Sequence, residues 1–222
     1  MPDLNFRVTG VEPTARGLVP LLLFELEVTN APPDEAIQSA TLQVQIQFQC
    51  PQRAYTGSEK EKLLDLFGEP QRWGQTLRNR LWTHASSTLG RFSGTTMANI
   101  TVPCTFDLNV SSAKYFYALE AGEVPLLFLF SGTVFYSAPD GRLQVQRISH
   151  ASECTWALPA RLWRELMDSL WPNTAWITLD RGVFNRLYDF KRRAGLPTWE
   201  QTIEKLLAAA EAPEPSLHLH PS

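Results

Sequence analysis

Along most of the first two thirds of the chain apolar and polar residues alternate, and a period of two predicts strands. Residues 41–49, TLQVQIQFQ, place Leu42, Val44, Ile46 and Phe48 on one side and four glutamines on the other, the pattern of a half-buried strand with a wet, uncharged face. Residues 19–28, VPLLLFELEV, line up Leu22, Phe24, Leu26 and Val28. The opposite face begins with Leu21 and Leu23 and ends with Glu25 and Glu27, so one end is expected to be covered on both sides.

About a hundred residues later VPLL recurs, in VPLLFLFSGTVFY at 124–136. Here Leu126, Phe128, Phe130, Gly132, Val134 and Tyr136 share one face and Leu127, Leu129, Ser131, Thr133 and Phe135 the other, which predicts a strand buried on both faces for much of its length. The sequences around the two copies do not match, so they read as two core strands, the second central and the first nearer an edge. Proline at a strand's first residue, where its missing N–H is tolerated, accounts for the echo. Residues 137–141, SAPDG, then form a turn in which proline fixes φ and glycine takes φ > 0. Leu143, Val145 and Ile148 return as a partner strand, making 124–148 a hairpin.

Helical signals interrupt and then replace this pattern. Ser58 followed three residues later by Glu61 reads as a capping box, opening a helix near 58–68 that Gly68 stops. A second short helix is predicted from Ser111 to Glu120, bridging a strand around Phe106 and the one opening at Val124. From Trp156 the period becomes 3.6. Pro159 suits the first position of a helix through Leu162, Trp163, Leu166, Met167 and Leu170, ended by Pro172. Asp180 caps a helix through Val183, Phe184, Leu187 and Tyr188 that closes at Gly195, and Thr198 opens a last one with Ile203, Leu206 and Leu207.

The predicted class is therefore α+β: an antiparallel β-sheet or sandwich with an inserted helix and a C-terminal helical segment packed on it. Its divisions are a β-rich body over 1–150, helices over 151–211 within the same domain, and a proline-rich, disordered tail over 212–222.

Composition narrows the function. The 222 residues are 44% hydrophobic and 19% charged, an ordinary globular profile large enough for a core without disulfides. A net charge of -3 argues against general nucleic-acid binding. Three widely spaced cysteines without C-x-x-C argue against a disulfide framework. MPDLNFRVTG has no positive n-region followed by an apolar h-region, so no secretory signal is expected and a reducing cytoplasm fits. The triplets at Asn99 and Asn109 are then idle as glycosylation acceptors. The apolar stretch 124–139 falls short of the ~20 residues of a spanning helix, so no membrane span is expected.

Candidate chemistry is sparse. Phosphate-cradling glycine loops and the G-x-S-x-G elbow are absent, so no catalytic residue and no cofactor is predicted. The best metal candidate is His150 with Cys154, whose spacing would place both on one face of a helical turn, with Cys104 as a third ligand. Glu25 and Glu27 point the same way on one strand, as a solvated strand end would. Arg181, Arg186, Lys191, Arg192 and Arg193 make one helix basic, which the helix dipole favours at its C-terminus. The tryptophans suit a seam between layers or a protein interface. Trp163, Trp171 and Trp176, with Arg192 and Arg193, are the candidate interaction surface.

Three segments, RAYTGSEKEKLLDLFGEPQRWGQTLRNRLWTH at 53–84, PCTFDLNVSSAKYFYALEAGEVPLLFLFSGTVFY at 103–136 and LPARLWRELMDSLWPNTAWITLDRGVFNRLYDFKRRAGLPTW at 158–199, resemble in order and spacing an uncharacterised bacterial domain-of-unknown-function family. Its members are encoded in clusters with oxygen-insensitive nickel-iron hydrogenases. The resemblance implies a non-enzymatic accessory role in hydrogenase assembly or maturation, with a hydrogenase subunit or maturation factor as partner, and transfers no site residue. Two alternatives accompany it: a holder of apolar clients, on architectural similarity to SecB-type chaperones, and a metal carrier or enzyme using His150, Cys154 and Cys104.

Overall fold

Long alternating strands dominate the fold because each can hide one apolar face only by lying against another such face. A computed structural model describes residues 1–104, 110–138, 140–174 and 177–211. In chain order the elements are β1 (Asp3–Arg16), β2 (Val19–Ala31), β3 (Ile37–Phe48), α1 (Gly57–Lys62), α2 (Leu64–Phe67), α3 (Trp73–Thr76), β4 (Arg80–Leu89) and β5 (Thr95–Pro103). There follow α4 (Val110–Ala118), β6 (Glu123–Ser137), β7 (Leu143–Arg147), β8 (Glu153–Pro159), α5 (Ala160–Leu170), α6 (Arg181–Arg193) and α7 (Trp199–Glu211).

The strands form two antiparallel sheets, a three-stranded β1-β2-β5 and a five-stranded β4-β3-β6 in which both β7 and β8 pair with β6. The fold is α+β with sandwich-like packing. Leu22, Phe24, Leu26 and Val28 of β2 are fully buried, as are Leu126 and Phe128 of β6, each worth about 2 kcal/mol on leaving water. The sheets close on one another through rings: Phe6 stacks on Phe130 at 4.1 Å and Phe24 meets Phe128 edge-on at 5.2 Å. The two VPLL strands thus face each other across one core. Phe128 and Phe130 are covered by the opposite sheet, while Tyr136 is partly buried.

Several expectations change. β2 is the middle strand of its sheet rather than near an edge, because β1 and β5 pair on either side of it. β6 is central, yet only one face is buried; Leu127, Leu129, Thr133 and Phe135 are half-exposed and Ser131 is exposed. The capping box lies two residues earlier than read, since Thr56 Oγ1 accepts from Glu59 N at 3.2 Å and the Glu59 carboxylate accepts from Thr56 N at 3.0 Å. The helix expected near 58–68 is divided at Leu63 into α1 and α2, and Gly68, at φ 71°, ends it.

The change from strand to helix comes at Pro159 rather than Trp156. Half-buried Cys154 and Trp156 and buried Leu158 alternate with exposed Glu153 and Thr155, and β8 pairs along β6 from Glu123↔Pro159 to Leu129↔Glu153. Beyond it α5 buries Ala160, Trp163, Leu166 and Met167 at helical spacing and packs against β1, β2 and α4.

The chain divides into two compact units, 1–174 and 175–222. The first contains both sheets, β8 and α5. The described part of the second consists of α6 and α7. The strand expected around Phe106 lies largely outside the described residues, as do Trp176 and the tail.

Candidate functional site: the outer face of the five-stranded sheet

Register carries the uncharged side of the glutamine strand across its neighbours. Opposite Gln45 stand His84 on β4 and Leu129 on β6; opposite Gln43 stand Ser86 and Ser131; opposite Thr41 stand Thr88 and Thr133. A bulge at Ile46/Gln47 lets Trp82 turn into the core, 4% exposed, while Leu81 pairs with Gln47 on the outside. Outward positions of β3 from Ser39 to Gln47, of β4 from Leu81 to Thr88 and of β6 from Pro125 to Phe135 hold no Asp, Glu, Lys or Arg. Charge returns on the flanking strands, at Glu153 of β8 and Arg147 of β7. At that flank Leu143 and Val145, both 61% exposed, lie beside Ser137 and Phe135.

Exposed protein surface ordinarily carries about a quarter to a third charged residues. A sheet face of glutamine, serine, threonine and half-exposed leucine instead has the charge depletion found at the centre of protein interfaces. Gly132 sits within it where two strands approach most closely. At φ 144° it lets β6 approach β3 so closely that a Cβ there would overlap the Thr41 carbonyl.

The residues named from the sequence are placed elsewhere. His150 lies exposed in the turn before β8, and Cys154 lies in β8 opposite Phe128, so the spacing between them is not helical. Cys104 follows β5 in the other sheet, 4% exposed, its Sγ 3.7 Å from the Val102 carbonyl. Among the described residues no three His, Cys, Asp or Glu side chains converge as a metal site. Burial pushes the Cys50 thiol up to about 11 and Cys104 to about 12, and raises Cys154 as well. Glu27 pairs with Arg7 at 2.8 Å, while Glu25 is exposed.

Trp163, 3% exposed, stacks on Phe116 at 4.9 Å and belongs to the core rather than to an interaction surface. Trp171 packs partly buried against the same core. Arg192 and Arg193 are exposed at the end of α6, and Trp176 lies outside the described residues.

One buried polar cluster escaped the sequence reading. Arg53 and Glu59, with side chains 8% and 2% exposed, form a bidentate pair at 3.0 Å. Arg53 also donates to the carbonyls of Ala121 and Glu123, and Glu59 accepts from Glu120 N at 2.9 Å. Desolvation acts to raise the Glu59 pKa, but the hydrogen bonds from Arg53, Thr56 N and Glu120 N outweigh it and hold it at about 2. Beside the pair, Tyr55 Oη contacts Tyr115 Oη at 3.0 Å and donates to the Cys50 carbonyl. The cluster ties the α1 segment to the entry of β6. Arg53 and Glu59 both lie in the first resemblance segment, but the carbonyls that complete the site, of Ala121 and Glu123, come from about seventy residues further along the chain.

Fold and face together define a helix-bearing antiparallel β-sandwich with one uncharged sheet face. The chain belongs to a family of unknown function, DUF6084, whose model matches residues 1–215. No curated protein matches it. Among solved structures, the similar ones include a β-glucosidase from Kluyveromyces marxianus, at 13% identity over 70% of this chain and 15% of that one, with a TM-score of 0.27. A β-glucosidase from Paenibacillus barengoltzii is 12% identical over 72% and 15%, again with a TM-score of 0.27. β-Glucosidase 3B from Thermotoga neapolitana is 10% identical over 70% and 17%, with a TM-score of 0.25. The chain spans less than a fifth of these enzymes, and likeness at this level carries no argument about function. No described helix is long and apolar enough to cross a membrane.

Proposed function

We propose that the protein is a non-enzymatic accessory factor in the assembly or maturation of a nickel-iron hydrogenase, and that it docks on its protein partner through the outer face of the five-stranded sheet. The observation that supports docking is the charge-free surface across β4, β3 and β6. Burying it desolvates no carboxylate, lysine or arginine in its central area, so a neutral partner surface can cover it without the penalty that such buried unpaired charges incur. Glutamine amides and threonine hydroxyls remain to make directional hydrogen bonds, while Leu127, Leu129 and Phe135 supply apolar area. The hydrogenase context comes from the family resemblance of segments 53–84, 103–136 and 158–199.

A holder of unfolded clients would need the long apolar strands open, whereas their apolar faces lie against each other. The test is affinity purification of the tagged protein from cells producing the hydrogenase. Recovery of a hydrogenase subunit or maturation factor is expected, and recovery of neither overturns the reading.

A further inference from the structure

The second unit poses a separate problem of burial. α6 begins at Asp180, whose carboxylate accepts from Gly182 N and Val183 N, and it ends in a Schellman turn. There Gly195, at φ 65°, donates to Arg192 O and Leu196 to Lys191 O. Two residues on, Thr198 Oγ1 accepts from Gln201 N and starts α7. The helices meet around Trp199, which lies 5.4 Å from the Phe184 ring and 6.2 Å from that of Tyr188, with Lys191 Nζ 5.6 Å above its centre.

This pairing leaves most of the apolar surface uncovered. In the two helices only Thr202 is buried, whereas Phe184 is 43% exposed, Tyr188 52%, Leu206 40% and Leu207 56%. A pair of 13-residue helices presents too little mutual surface to bury two amphipathic faces. Charge is also divided between them. α6 holds five basic side chains and one acid; α7 holds three acids, Glu200, Glu204 and Glu211, and one lysine.

We infer that this hairpin is half of an antiparallel four-helix bundle completed by the same hairpin of a second copy of the chain. In a two-fold arrangement α6 of each copy lies beside α7 of the other, so basic helix meets acidic helix twice and the exposed apolar residues enter one shared core. A hairpin of uniform charge would repel its own copy; this one is complementary to itself. That self-complementarity selects a second copy over an anionic membrane, which would be repelled by the carboxylates of α7, or an unrelated acidic protein, which would leave those carboxylates unanswered. The inference uses none of the sheet surface assigned to the partner, so either can fail without the other.

Sedimentation equilibrium on the full chain is the test. The expected mass is twice the 25.1 kDa of the chain. Leu206→Glu with Leu207→Glu should weaken the dimer about tenfold or more while leaving the thermal melt of the sandwich unchanged. Arg186→Glu with Arg193→Glu, and separately Glu200→Lys with Glu204→Lys, should each give monomers that form a heterodimer on mixing. A wild-type monomer, a dimer indifferent to the leucine substitutions, or charge variants that do not rescue one another would overturn the inference, as would a monomer that instead binds anionic vesicles.

Discussion

The Glu59 carboxylate serves the Thr56 cap, the Arg53 guanidinium and the Glu120 amide at once, so its loss breaks contacts on three segments. Glu59→Gln leaves a buried arginine without its counter-charge and should cost about 3 kcal/mol in urea unfolding. Because the folded pKa, about 2, lies below the ordinary 4.5, the pair stabilises fully above pH 4.5. That contribution is lost as pH falls from there through 2. Wild-type stability should therefore decline across this window more steeply than that of Glu59→Gln. Gly132→Ala, at a positive φ with the Thr41 carbonyl in the way, should cost about 2–3 kcal/mol in the same assay. Cys50 and Cys104, buried and with raised pKa values, should resist a thiol reagent at neutral pH until the protein unfolds. Rapid native labelling of either would contradict their placement.

At the level of elements, what the sequence made legible was whatever depends on a residue and its near neighbours. The inward row of β3, the turn through Asp140 and Gly141, and the Asp180 cap all follow from local pattern, and the structure holds each. Less legible were features needing a partner from far along the chain. The outward leucines of β6 looked like core because apolar residues on both faces usually mean two covering layers; register places glutamines beside them on β3 instead. β8 is a strand the local pattern does not announce, because its half-buried Cys154 and Trp156 show period two only once the edge of β6 supplies their hydrogen bonds. The capping box was misplaced because two overlapping Ser/Thr-x-x-Glu patterns occur, and only the one at Thr56 brings its glutamate to Arg53. Thr56→Ala should cost about 1 kcal/mol, and Ser58→Ala much less, in equilibrium unfolding.

On the scale of the whole molecule, the first unit is a sandwich whose described tryptophans and most of whose phenylalanines pack on its own core, and whose outer sheet face is assigned to a partner. Three glutamines of that face, Gln43, Gln45 and Gln47, were visible in one strand, whereas Gln49, past the end of β3, is buried rather than on the wet face. The extent of the face was not legible, since it is assembled from β4, β3 and β6 by register alone. The most direct test places charge where the account needs none. Gln45→Lys with Leu129→Lys puts two like charges on adjacent strands at its centre, and both positions point away from the core. Side-by-side affinity purification of wild type and this variant, both shown to be folded by thermal melts, is the measurement. The account predicts that wild type recovers a hydrogenase subunit or maturation factor and the variant about tenfold less or none. Equal recovery by both would contradict it.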